Sequence, residues 1–126
     1  MNALKTLVYL VVISFASVST LAYAENNAEV KAAIDQTVAK LEQAVAALEK
    51  GEDTKAIVDM VIEAKQLQKS ISTSDGKVSI KKSQGSNKLG QARTSLNDGD
   101  LKKGGELVRE ALADYKEVKE KYNATH

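Results

Sequence analysis

The sequence predicts an all-α protein, an up-down-up-down four-helix bundle made of two similar helical hairpins. An internal repeat is the first observation, because the stretch LEQAVAALEKG at residues 41–51 returns as LGQARTSLNDG at residues 89–99. Each copy ends in a glycine, then an acidic residue, then a second helical pattern. Apolar residues follow heptad-like spacing, and the chain contains no proline. Together these features indicate a helical hairpin that is used twice.

Residues 1–24 are predicted to form a secretory signal peptide. Lys5 is the only charged residue in this segment, which is apolar at its centre and ends in the cleavage-type sequence Ala-Tyr-Ala. An uncleaved anchor is the alternative, since the last 18 residues of the segment carry no charge and a spanning helix needs about 20 apolar residues. We therefore expect residues 25–126 to form a periplasmic or secreted domain, or one tethered to the inner membrane if the segment is retained.

The first hairpin is predicted over about residues 28–72. Its first helix carries apolar residues at spacings of three and four up to Leu48. Gly51 then stands where a left-handed C-terminal cap is needed, and Asp53 is suited to cap the second helix. A run of turn-forming residues, Ser-Thr-Ser-Asp-Gly, ends this hairpin.

The second hairpin is predicted over about residues 78–123. Its first helix contains several Ser, Gly and Asn residues that lower helix propensity, so it should be the weakest of the four. The pair Gly104-Gly105 indicates either a close approach between helices or a local kink. Across both hairpins, the side chains expected in the core are Ile34, Val38, Leu41, Val45, Leu48, Ile57, Met60, Leu67, Leu96, Val108 and Tyr115.

Several kinds of chemistry are disfavoured by composition. Cysteine is absent, and the single histidine is the last residue, His126, so thiolate chemistry and a multi-histidine metal site have no ligands. No glycine-rich phosphate loop or nucleophile-elbow serine motif is present. We therefore expect no enzyme activity, no catalytic residues, no cofactor and no dedicated metal site. The acidic residues near the turns are interpreted as helix caps, with a carboxylate-held hard cation as the alternative: Glu49, Glu52, Asp53, Asp98 and Asp100.

At the two turns, Ala-Leu-Glu-Lys-Gly51-Glu and Ser-Leu-Asn-Asp-Gly99-Asp, the chain resembles SmbP, a family of small periplasmic metal-binding proteins. The resemblance implies an exported four-helix bundle of two similar hairpins whose ligand is a metal ion. That family places histidines along its helices and at its turns, and the matching turn positions here are Ala47, Glu52, Ser95 and Asp100. The end of the second hairpin is also similar to periplasmic four-helix b-type cytochromes, with Lys119 near the position of their haem-ligating histidine.

Charge is unevenly distributed along the chain. Residues 25–75 hold ten acids and six lysines, whereas residues 76–126 hold seven acids and eleven Lys or Arg. Between residues 76 and 97 there are five cations and no acid. One interpretation is that this basic helix packs beside acidic helices of the first hairpin, within the molecule or across a homodimer. The other is a surface for an anionic partner, with these candidate residues: Lys77, Lys81, Lys82, Lys88 and Arg93.

Two functional hypotheses follow. The first is a non-catalytic exported interaction protein of the bacterial envelope, whose basic third helix contacts a protein partner or an anionic membrane surface. The alternative is a small periplasmic metal-ion-binding protein of the SmbP type. Nucleic acid is not expected as a partner, because export removes the usual targets and the residues after the signal segment include only two aromatics, Tyr115 and Tyr122.

Overall fold

The computed structural model describes residues 26–126, in which four α-helices pack against one another. No β-strand occurs in this part of the chain, and the all-α prediction is confirmed. The predicted signal peptide and its cleavage site lie outside the described residues. Hairpin one consists of α1 and α2, with a short 3₁₀ turn after α2, and hairpin two consists of α3 and α4. The bounds are α1 Asn26–Lys50, α2 Thr54–Leu67, the 3₁₀ turn Gln68–Ser70, α3 Gly76–Asn97 and α4 Leu101–Thr125.

The helices form a four-membered ring in which consecutive helices are neighbours. Helix α1 packs against α2 and α4, and α3 also packs against α2 and α4. The most extensive of these interfaces lies between α3 and α4. Short links between consecutive helices make neighbours antiparallel, which confirms the predicted four-helix bundle of two hairpins. None of the helices between residues 26 and 126 combines the length and apolar character needed to cross a membrane.

Both hairpin turns are closed by the same glycine motif. Gly51 has φ +70° and Gly99 has φ +87°, a left-handed conformation that glycine adopts without strain. In hairpin one, the Gly51 N–H donates to the Leu48 carbonyl at 3.2 Å and the following N–H donates to the Ala47 carbonyl at 3.0 Å. The same two bonds recur around Gly99 at 3.0 and 2.9 Å. The repeated glycine therefore ends both first helices with a Schellman motif.

The helix starts differ from one another. Asp100 caps α4 by accepting a hydrogen bond from the Lys103 N–H at 3.0 Å. Asp75 caps α3 through the N–H groups of Lys77 and Val78, at 2.9 and 3.4 Å, a role that the sequence reading did not assign. Asp53 occupies the predicted position before α2, but its side chain makes no capping hydrogen bond.

The core is a continuous apolar cluster contributed by all four helices. Seven of the predicted core residues are buried: Ile34, Val38, Leu41, Ile57, Leu96, Val108 and Tyr115. Four others are only partly buried. Val45, Leu48 and Met60 still pack against this cluster, whereas Leu67 lies outside it. Small residues such as Ala44, Ala47 and Ala92 take the central positions, because closely packed helices leave space only for short side chains between them.

Two helix ends depart from the prediction. Helix α2 ends at Leu67 instead of near residue 72, since the chain tightens into the 3₁₀ turn before Ile71 enters the core. Helix α4 continues to Thr125, two residues past the predicted end at about residue 123. There the His126 ring stacks on Tyr122 at a centroid distance of 3.9 Å, which extends the packing of the helix to the last residue.

Glycines allow α3 and α4 to approach closely. A Cβ placed on Gly104 would lie 2.6 Å from the Leu96 side chain, and one on Gly85 would lie 2.5 Å from the Tyr115 ring. The Gly104-Gly105 pair therefore serves a close approach, within an uninterrupted helix. Tyr115 is completely buried over Gly85, and its hydroxyl lies 3.2 Å from the Lys82 carbonyl oxygen, to which it donates. These contacts fix the position of α3 on α4.

Candidate functional site

Two of the five candidate cations on α3 face α4. Lys88 Nζ lies 2.8 Å from Asp114 Oδ2 and 3.8 Å from Glu110 Oε1. Lys81 Nζ lies 3.4 Å from Glu117 Oε2 and 3.8 Å from Asp114 Oδ1. Both lysines are thus committed to ion pairs within hairpin two. The acids that neutralise them come from α4, and hairpin one, which the internal-pairing interpretation named, supplies none of them.

Asp114 is the centre of this network. It is only 5% exposed, although it is a charged residue, and both lysines converge on its carboxylate. Hydrogen bonding to Asp114 raises the pKa of Lys88 above its ordinary value, the charges of Asp114 and Glu110 add to this effect, and burial opposes it. The lysine therefore stays protonated well into the alkaline range, and the pair holds α3 against α4 at neutral pH.

The burial of Asp114 was missed by the sequence reading, although its spacing contains a signal. Asp114 follows the core residue Ala111 by three positions and precedes the core residue Val118 by four. Residues at such spacings share one side of a helix. Likewise, Lys81 and Lys88 are seven residues apart, close to two turns, which places them together beside α4.

The other three candidate cations make no ion pair with any residue between 26 and 126. Lys77 and Arg93 are exposed, and Lys82 is partly buried. Lys82 and Arg93 are eleven residues apart, about three turns, so they share a side of α3. Arg93 lies on the α2 side of that helix, because it lines a depression together with Ile62, Lys65 and other residues of α2. The structure thus separates the candidate set into a paired flank toward α4 and an unpaired group.

Between the exposed cations Lys77 and Arg93, α3 has a solvent-facing strip without charge. We call it the α3 outer face, and it is made of small or uncharged polar residues: Ser79, Ser83, Asn87, Gly90, Gln91 and Thr94. Cations lie on both of its edges. The one large apolar side chain exposed on this helix is Ile80, which is 60% exposed.

Two neighbouring depressions lie along the outer face and share Lys65 of α2. The larger, about 480 Å³, lies over Gly90 and is lined by Asn87, Gln91, Thr94 and Ser95, with Lys103 of α4 at its edge. The smaller, about 160 Å³, is lined by Lys69 and Arg93 together with apolar parts of α2. No acidic residue lines either depression.

Lys65, Lys69 and Lys103 are therefore additions to the candidate set. Over the described chain, none of the three forms an ion pair. No sequence pattern singles them out, because Lys65 lies in α2, Lys69 in the 3₁₀ turn and Lys103 in α4. Only tertiary packing brings them beside the α3 outer face. Lys65 is the clearest case, since its Nζ lies 3.1 Å from where a Cβ of Gly90 would stand.

The residues considered as metal ligands are either far from one another or already in contact with other groups of the protein. In residues 26–126, no group of three or more His, Cys, Asp or Glu side chains is arranged to hold a metal ion. Asp100 is used as a helix cap. The His126 ring is exposed and stacked on Tyr122, with Nδ1 3.0 Å from the Tyr122 carbonyl oxygen.

Fold and site together define a small four-helix bundle with one polar, cation-edged helix face. No protein-family model matches the chain, and neither a curated protein nor a solved structure shows significant similarity to it. Functional inference therefore rests on the residues of the chain itself.

Proposed function

We propose that this chain is a non-catalytic binding protein of the bacterial envelope that contacts an anionic, phosphate-bearing membrane surface through α3. The observation that carries the proposal is the division of the α3 cations. Lys81 and Lys88 are occupied with α4, but Lys77, Lys82 and Arg93 are left without an acidic partner among residues 26–126. Cations that do not serve folding are available for a ligand.

Membrane headgroups fit this face better than an acidic protein does. Protein interfaces are usually anchored by buried aromatic or large apolar side chains at their centre. The α3 outer face has only uncharged polar residues at its centre and one exposed isoleucine nearby. A hydrated surface of negative headgroups requires no apolar anchor, because each lysine or arginine near it contributes on its own.

The envelope location rests on the sequence. The segment before residue 25 has the charge, the apolar centre and the small-residue end of a secretory signal. Whether the segment is removed or retained, the domain would meet the outer face of the inner membrane. An export assay with and without residues 1–24 tests this part, and a chain that stays in the cytoplasm with the segment present would contradict it.

Vesicle flotation tests the binding part. Protein purified after export, with residues 1–24 removed, should float with vesicles that contain phosphatidylglycerol, should not float with neutral phosphatidylcholine vesicles, and should dissociate as salt is raised. Lys77→Gln, Lys82→Gln and Arg93→Gln together should weaken partitioning by roughly a hundredfold, from about 1 kcal/mol for each cation.

A charge-matched control comes from other parts of the chain. Lys50→Gln, Lys55→Gln and Lys121→Gln remove one lysine each from α1, α2 and α4, none of which forms an ion pair within residues 26–126, so the net charge falls equally. This control should bind much better than the α3 variant. Equal loss in both variants would overturn the assignment to α3. Retention of an acidic protein from envelope extracts, with no vesicle binding, would replace the membrane with a protein partner.

A further inference from the structure

The larger depression over Gly90 has features that a general basic surface does not require. It is lined by the amides of Asn87 and Gln91 and by the hydroxyl-bearing residues Thr94 and Ser95. Lys65 lies on one side, from α2, and Lys103 lies on the other, from α4. Three helices therefore contribute polar groups to one concavity, and all the charged groups that line it are positive.

We infer that this depression binds a single phosphate group, that of a lipid headgroup, between Lys65 and Lys103 over Gly90. The inference rests on the proposed function and assigns a specific binding site to it. A phosphate offers several acceptor oxygens, and ammonium and amide N–H groups are the donors that suit them. The volume of about 480 Å³ accommodates a phosphate with part of its attached headgroup.

Gly90 lines the depression without a side chain to fill it. The glycine sits in the middle of α3, where it lowers helix propensity by roughly 1 kcal/mol relative to alanine. Unlike Gly85 and Gly104, it is not needed for helix packing, because a Cβ there would meet only the mobile end of the Lys65 side chain. Its lack of a side chain leaves space on the solvent side, under the Lys65 ammonium.

The two lysines are free to act on a ligand. Lys103 is exposed, Lys65 is half-buried, and neither forms an ion pair within residues 26–126. Thr94 donates its hydroxyl to the Gly90 carbonyl at 3.2 Å, so that proton is already engaged. The donors that remain for an anion are the two ammonium groups, the two side-chain amides and the Ser95 hydroxyl.

The test uses a variant that fills the depression without changing any charge. Gly90→Leu should fold, because a Cβ at this position meets only the Lys65 side-chain end and leucine raises helix propensity. The full-length protein is titrated with glycerophosphoglycerol, the soluble headgroup, and amide chemical shifts are recorded by NMR. Wild type should show saturable shifts centred on residues 87–95. Gly90→Leu, and separately Lys65→Gln with Lys103→Gln, should weaken binding by roughly tenfold or more, the equivalent of one hydrogen bond to a charged group.

Two further arms separate the possible failures. Inorganic phosphate, titrated in the same way, identifies the source of the phosphate, since shifts with inorganic phosphate alone would overturn the headgroup assignment. Gly90→Leu is also floated with phosphatidylglycerol vesicles. If wild type floats and Gly90→Leu binds the headgroup as well as wild type, the phosphate site over Gly90 is refuted. Membrane binding through the α3 cations is then still supported. If wild type does not float at all, the membrane proposal fails, whatever the headgroup titration shows.

Discussion

Ile57 of α2 and Gly104 of α4 occupy equivalent positions of the repeat, 47 residues apart, yet they close their hairpins in opposite ways. In hairpin one, the isoleucine fills the seam with a buried side chain. In hairpin two, the glycine removes the side chain and lets Leu96 of α3 occupy that space. The same turn motif therefore supports two kinds of helix contact, one apolar and one based on close approach.

The second difference lies at the equivalent pair Leu67 and Asp114. In α2 the position holds a partly exposed leucine, but in α4 it holds a buried carboxylate that receives two lysines. Hairpin two thus adds close glycine contacts and an ion-pair network to its buried apolar residues, of which Tyr115 is the largest. What the difference teaches is that α3 is held from its α4 side. The residues of the α3 outer face therefore do not need to stabilise the fold, and they can be small, polar or glycine.

The largest expected effect comes from Tyr115, the main apolar element of hairpin two. Tyr115→Ala should destabilise the protein by about 3–5 kcal/mol, the usual cost of deleting a large buried aromatic side chain. Tyr115→Phe should cost about 1–2 kcal/mol, because the Lys82 carbonyl and the Gln68 side chain lose a hydrogen-bond partner. Urea denaturation gives both values. A loss below 1 kcal/mol for Tyr115→Ala would show that hairpin two is not built around this ring.

The glycine contact is tested by the same substitution at two positions. Gly104→Ala should cost about 1–3 kcal/mol, because the new methyl group would meet Leu96 side-chain and backbone atoms. Gly90→Ala should instead stabilise by about 0.5–1 kcal/mol, since it gains helix propensity and meets only a lysine end. Opposite signs in thermal or urea unfolding are the expected result. Two stabilising substitutions would remove close approach as the basis of the α3–α4 interface.

The ion-pair network should contribute a similar or smaller amount. Asp114→Ala should destabilise by about 2 kcal/mol, less than for a fully buried pair, because Lys81 and Lys88 can turn partly toward water. Glu110→Ala is the matched control, since its side chain is 56% exposed and lies 3.8 Å from Lys88, and it should change stability by less than about 0.5 kcal/mol. Equal effects of the two variants would mean that burial of Asp114 adds nothing.

Alkaline pH should lower the free energy of unfolding through three groups of hairpin two. Burial raises the pKa of Tyr115 and of Tyr122 above the ordinary value of 10.0. Above that pH the unfolded chain loses protons that the folded chain keeps, so stability falls as pH rises. The contribution of Lys88 has the same sign, because its stabilisation is complete below 10.5 and is lost as pH rises through the raised pKa. Each group contributes a slope of at most about 1.4 kcal/mol per pH unit.

Urea midpoints between pH 8 and pH 11.5 measure this decline. Tyr115→Phe removes one titrating group and should make the decline shallower. A midpoint that does not change over this range would contradict the assignment.

Much of the fold could be predicted from the sequence, because the features that define it are local. The repeated glycine, Gly51 and Gly99, ends α1 and α3 in the same way. The apolar stripe of α4 from Val108 to Tyr122 is buried, as its helical spacing indicates. The buried state of Asp114 and the separation of the five α3 cations were not predicted. These depend on which neighbour each helix side faces, and the net charge of a segment does not contain that information.

Part of the site was within reach of the sequence and part was not. The spacing of seven between Lys81 and Lys88, set against Lys82 and Arg93, already indicates two sides of one helix. Lys65 and Lys103 could not be found in this way, since they come from separate helices and only tertiary packing brings them to the α3 outer face.

The central claim is that one flank of α3 pairs with α4 and the other binds an anionic surface. One flotation measurement tests it directly. Lys82→Gln with Arg93→Gln, and Lys81→Gln with Lys88→Gln, each remove two charges from the same helix. On phosphatidylglycerol vesicles, the first variant should lose roughly ten- to thirtyfold in partitioning. The second should bind nearly as well as wild type, because its lysines are already paired with α4. Equal loss in both variants, or a greater loss in the second, would contradict the account.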